Sequence, residues 1–354
     1  MSEAASAFAS DLSAPDEAAL APRAAVWAGP AVAVLTLIAA IVVCDAAGVP
    51  LRDPDGVASG RLGVALLLIT GLVGLDIAVR ASRISPGVLP TREALSEVRR
   101  ERWNRHRAVP VALAVLSFFL TYFAYRNLKS VVPVLRPDVL YDAQLDRIDR
   151  AIFGGEAPAS ALHAILGTGV SAHALSGVYV LLFAFIPISL SIALVFSPNL
   201  ETGLFYSTAL ALNWGLAAAS YFLLPSIGPF HDLPGTFAEL PVTAVTQLQD
   251  LLVTQRDAFV QNPGVPGSAQ SIGAFASLHV SIYATAAFAC HLLRLSRRIK
   301  VVVWALTALT VIATIYFGWH YLMDDVAGLL IAAVSLEAAR RISHVRLPSR
   351  AAST

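Results

Sequence analysis

The chain has 354 residues, 56% of them hydrophobic and 14% charged, with a formal net charge of +1. That composition is far too apolar for a soluble domain. The near-neutral charge, without a basic patch interleaved with aromatics, offers no footprint for nucleic acid. Two cysteines, Cys44 and Cys290, build neither a disulfide framework nor a thiolate metal site.

Residues 1–25 are Ala-rich and acidic and lack the basic start of a secretory signal, so a disordered tail is expected there. Crossing a bilayer takes about 20 apolar residues. Eight runs approach that length, at 27–46, 62–80, 108–125, 173–197, 204–224, 278–296, 299–318 and 320–339. The expected fold class is therefore all-α, a polytopic membrane helix bundle of about eight spans.

The first two runs, with the basic segment that follows them, make up 26–107 and read as an accessory pair. The other six form a core over 108–342, followed by a basic tail at 343–354. Arginines crowd 81–107, the short turn Arg294–Lys300 and the C-terminal tail, and an eight-span count puts all three on one side. The positive-inside rule makes that side cytoplasmic, with both termini inside a multi-pass cell-membrane protein. The remaining loops then face outward. One, within 138–168, carries Leu140, Leu145, Ile148 and Ile152 at helical spacing, the pattern of an amphipathic helix lying on the outer surface. Another, 226–276, is Pro/Gly-rich with Arg256 as its single basic residue, and is expected to be either a lid or disordered.

Ionisable groups inside an apolar run are costly, so YFGWHYLMDDVAG at 316–328 demands a reason. His320 and Asp324 are four apart, which on a helix places them on one face. The carboxylate can take the Nδ1 proton, fix the tautomer and leave Nε2 as a nucleophile. Asp325, turned about 100° further round, is expected to cap the span or meet water. A second histidine, His279, opens another span in IGAFASLHVSIYA, with Ser277 placed as its N-cap and the free amides of that turn suited to an anion. Two histidines, an orienting carboxylate and an anion-binding helix start suit metal-free phosphoryl transfer, one histidine attacking phosphorus and the other protonating the leaving oxygen. The remaining histidines read as interfacial anchors. No cofactor is indicated. The rival readings are a transporter or channel, disfavoured by the absence of an internal repeat and of charges in most span interiors, and a non-catalytic lipid-binding protein.

FASLHVS and TIYFGWHYLMDDVAG resemble the second and third signature motifs of the type 2 phosphatidic acid phosphatase superfamily, which read P-S-G-H and S-R-x5-H-x3-D. They are most similar to the branch of the inositol phosphorylceramide synthases, with S-L-H in the second motif, a threonine at Thr314 and a tyrosine at Tyr316. The resemblance implies a lipid phosphate or phospholipid substrate in the bilayer, a phosphohistidine on His320 oriented by Asp324, and His279 as general acid. By the arginine-based topology, His279 and His320 both emerge at the outer face, so the active site is expected to face outside. Ala276 stands where the motif has proline, and Thr314 replaces the arginine that clamps phosphate in hydrolytic members. The first family motif, K-x6-R-P, is matched by KSVVPVLRP, but after the third span instead of just before the second motif. Lys129, Arg136, Ser277 and Thr314 are accordingly the expected phosphate-binding residues, with Arg126 as a further candidate.

Overall fold

A computed structural model describes residues 21–85, 87, 89–265 and 267–347. Most of the first tail and the end of the last lie outside the described residues. The chain folds into fourteen α-helices and one five-residue π turn, with no strand among the described residues. In order they are α1 (Arg23–Ala46), the π turn (Val57–Arg61), α2 (Leu62–Ile84), α3 (Arg92–Arg102), α4 (Arg105–Leu135), α5 (Asp142–Ile152), α6 (Pro158–Leu166), α7 (Val170–Phe196), α8 (Leu200–Leu223), α9 (Pro229–Asp232), α10 (Pro234–Phe237), α11 (Ala244–Gln261), α12 (Leu278–Leu292), α13 (Arg297–Tyr316) and α14 (Leu322–Ser343).

Each of the eight apolar runs is a helix, and five of them (α1, α2, α4, α7 and α13) are long and apolar enough by themselves to cross a membrane. The other three dilute that signal for physical reasons. α12 has only 15 residues, and α14 opens on two buried aspartates. α8 spends Ser207, Thr208, Asn213 and Ser220 on the interior, where a lipid-facing helix would place leucine. Their hydroxyls and amide are satisfied internally, Asn213 bonding Ser281 and Thr285 of α12, as polar groups in an apolar core must be.

α8 is the axis of the bundle, packed against α1, α4, α7, α12 and α14. The two N-terminal helices are placed differently from one another. α1 lies along α4 and α8, whereas α2 rests on α7 and α3. At one end of the bundle Arg102 and Arg107 both donate to the Val195 and Ser197 carbonyls at the close of α7, where a helix leaves acceptors unpaired and favours cations. At the opposite end the loops expected to face outward interlock. Arg52 donates to the Ser268 and Pro263 carbonyls, and Arg126 holds Asp55 and the Gln270 carbonyl. Asp142 accepts from the amides of Ile227 and Gly228. Among the described residues the basic clusters fall at one end and these loops at the other.

The structure gives detail to two expectations about the loops. The amphipathic helix exists as α5, but Leu145 turns inward with Asp142 and Asp149, while Leu140, Ile148 and Ile152 stay exposed. Residues 226–276 are ordered where described: α9, α10 and the 18-residue α11 occupy them, and α11 packs on α7. The α11 start carries a Thr243–Thr246 capping box, a local signal for a helix within a stretch whose Pro/Gly content suggested a loop.

Candidate active site

His320 does not sit on a helix. It lies in the turn joining α13 to α14, two residues before Leu322 opens α14. The pairing expected from helical spacing survives on different geometry, with Nδ1 of His320 standing 3.4 Å from Oδ2 of Asp324. That same oxygen accepts the Tyr321 N–H, so Asp324 caps α14 while facing the imidazole. The capping role assigned to Asp325 therefore belongs to Asp324. Asp325 turns the other way and is held by the Thr314 hydroxyl at 3.0 Å and by Ser277.

α12 meets α14 head to head. The Ser277 N–H donates to the Asp324 carbonyl at 2.9 Å, and Ser277 caps its own helix by accepting from Val280. Gly328 permits this approach, since a methyl there would lie 2.5 Å from the Ser277 carbonyl oxygen. The contact brings the His279 and His320 rings to 6.3 Å between centroids. Tyr179 of α7 stacks on His279 at 4.1 Å and Trp319 stacks on Tyr179, which fixes the plane of the His279 ring.

α4 runs ten residues past the expected end of its apolar run, so Lys129 is carried on that helix. Its ammonium lies 4.5 Å above the Tyr221 ring and donates to the Tyr125 hydroxyl. Its charge reaches both imidazoles. Burial, reinforced by that charge and opposed by a hydrogen bond to the Ala274 carbonyl, pushes His320 down to about 3. The ring is therefore neutral at physiological pH, as a nucleophile must be.

Buried polar atoms without a hydrogen bond occur here among the described residues: His279 Nε2, Trp319 Nε1 and one oxygen of Asp324, with His320 Nδ1 held only by the long 3.4 Å approach of Asp324. Folded proteins rarely leave such atoms unmatched, and their convergence marks a place built for a polar ligand. Of the expected phosphate binders, Lys129 lies where its charge reaches both histidines, and Ser277 caps the helix carrying His279. The Thr314 hydroxyl is committed to Asp325 and the Val311 carbonyl. Arg136 reaches neither imidazole; it donates to the Phe222 carbonyl at the end of α8 and lines a neighbouring cavity. Arg126 is consumed by Asp55.

Sequence reasoning missed the part played by α5. Asp149 accepts the Leu322 N–H at the start of α14, and Asp142 accepts from Ile227, Gly228 and the Tyr321 hydroxyl. The two acids therefore grip both sides of the His320 turn. Their spacing of seven, which places two residues on one helix face, was the available signal. Gly228, with φ +112°, lets this loop lie against the Trp319 carbonyl, which a methyl would approach to 2.7 Å. Tyr179 left no such trace, being one aromatic among many in an apolar helix.

A sequence model described as the PAP2 superfamily matches residues 143–338, more than half of the chain. No curated protein and no solved structure matches it.

Proposed function

Because the chain belongs to the PAP2 superfamily, we propose that it is an integral-membrane enzyme cleaving or transferring a lipid phosphoester through phospho-His320, without a metal. One observation carries the reading: a buried His320 with Asp324 at 3.4 Å on one side and His279 across the site at 6.3 Å between centroids. Nε2 of His320 attacks phosphorus and the bond to the leaving oxygen breaks, that oxygen taking a proton from His279, whose imidazolium form the bound phosphate anion favours. Water or an alcohol then gives its proton to His279 and attacks phosphorus, and the N–P bond breaks. Asp324 steadies the imidazole as it gains positive charge, and its 3.4 Å separation is of the loose kind that tightens once substrate is bound. Lys129 supplies positive charge in a partly dry site, where it acts strongly on the spreading charge of the phosphoryl group.

The chemistry up to the phosphohistidine is common to hydrolysis and transfer. The S-L-H sequence and Thr314 favour an alcohol acceptor, as in the synthases they resemble. The clustering of arginines at one end of the bundle supports cytoplasmic termini and a site facing the outer leaflet. Purified protein in detergent, given isotope-labelled phosphatidic acid with and without an alcohol acceptor, should release or transfer labelled phosphate, and His320→Ala should not. Equal turnover by the His320→Ala protein would overturn the reading.

A further inference from the structure

A cavity of about 300 Å³ lies between the ends of α4 and α8 and the helix α11. Arg136 and Arg256 line it, with His231, and Asp138 is the one carboxylate on its wall among the described residues. Much of the remaining lining is apolar, including Val132, Val260 and Ile272. Arg256 is half-buried and makes no hydrogen bond or ion pair among the described residues; Asp257 and Asp142 are the carboxylates whose charge reaches it. A guanidinium drawn partly out of water without a partner is a standing cost that an entering anion removes. Arg136 commits one donor to the Phe222 carbonyl, and a guanidinium has five.

The cavity adjoins the candidate active site. Tyr221 and Gly273 line it, and the same Tyr221 ring lies under Lys129. A methyl on Gly273 would come within 3.0 Å of the Lys129 side chain, so the chain passes between the two places with no spare room. Its next residue, Ala274, offers its carbonyl to His320.

We propose that this cavity binds a second anionic group of the substrate, a phosphodiester, phosphate or carboxylate, while the reactive phosphoryl group sits at His320 and Lys129. The enzyme then selects amphiphiles carrying two anionic groups over those carrying one. Guanidinium forks bind such oxyanions bidentately, and the apolar lining accepts the adjoining hydrocarbon. The proposal rests on the reading of the histidine pair as a phosphoryl-transfer site.

The test uses the full chain in detergent and two short-chain lipids that differ in one respect. One is a phosphomonoester, and the other carries a phosphodiester beside the same phosphomonoester. The wild type should favour the second in kcat/KM, and Arg256→Gln should lower that preference about tenfold or more through KM, the scale of a lost charge-assisted hydrogen bond. Arg256→Lys, which keeps the charge and loses the fork, should fall between. No preference in the wild type, or equal losses on both lipids, overturns the proposal. A binding arm separates this idea from the reading beneath it. The His320→Ala protein should bind a non-hydrolysable two-phosphate amphiphile calorimetrically, and adding Arg256→Gln should weaken that binding. Binding that ignores Arg256, or that inorganic phosphate alone matches in affinity, sinks the cavity assignment whatever the turnover results. Arg256-dependent binding in a protein that turns over neither lipid keeps the cavity and discards the catalytic reading.

Discussion

An imidazole attacks phosphorus only while neutral, and afterwards it needs a carboxylate to carry the charge it acquires. Asp324 is placed for that and Asp325 is not, so Asp324→Asn should cost turnover roughly 100–10,000-fold, the range of a general acid–base group. Asp325→Asn should remain much nearer wild type, its effect falling on thermal stability through Thr314 and Ser277. Steady-state rates beside a detergent melting curve separate the two, and equal losses of rate would remove the distinction. Lys129→Ala should lower turnover about 100–1,000-fold, the usual loss for a donor that acts on transition-state charge. A near-normal rate in correctly folded Lys129→Ala would assign the phosphate to other groups. The His320–Asp324 pair was legible from spacing alone, although the helix invoked to explain it begins two residues later than that argument requires. The partners of Arg126 and Thr314 were not legible. Arg126 meets Asp55 across 71 positions, and no local pattern reports a contact at that range.

α5 joins an exposed apolar stripe to the His320 turn. Leu140, at its approach, with Ile148 and Ile152 stays exposed, while on its other face Asp149 caps α14 beside His320. Burial raises the Asp149 carboxyl to about 6, with the Leu322 and Met323 amides opposing and Asp146 adding to the rise. The ordinary aspartate value is about 3.9. The folded state thus holds this proton more tightly than the unfolded chain, so its share of stability falls as pH rises from about 4 to about 6 and is level beyond. Asp149→Asn should flatten that segment of the melting-temperature profile. Asp149→Ala should instead lose about 0.5–2 kcal/mol at neutral pH, as removal of a helix cap does. An unchanged profile in Asp149→Asn would mean that the carboxyl titrates normally. The helix itself was legible from its apolar spacing, but the inward turn of Asp149 depends on the Leu322 amide of α14, 173 residues away, and that of Asp142 on the Ile227 and Gly228 amides.

Across the whole molecule, basic clusters occupy one end and the His320 turn the other, and the eight apolar helices carry the chain between them. Cys44 and Cys290 are both buried, so introduced cysteines can be read against a quiet background. Asp250→Cys on α11 should react with an impermeant thiol reagent in intact cells, and Arg297→Cys at the start of α13 only after lysis. The reverse pattern would turn the bundle over and place the active site in the cytoplasm. The eight helices were legible because lipid demands long apolar runs. The enclosed position of α8 was not, since its Asn213 is explained only by Ser281 and Thr285 on α12. What the molecule does depends on where phosphorus goes. Rapid quenching of wild-type protein with a labelled lipid phosphate, followed by peptide mapping under alkaline conditions that preserve phosphohistidine, should find label on His320 and lose it in His320→Ala. Turnover by the wild type with no label at residue 320, or with label on His279, would contradict the account.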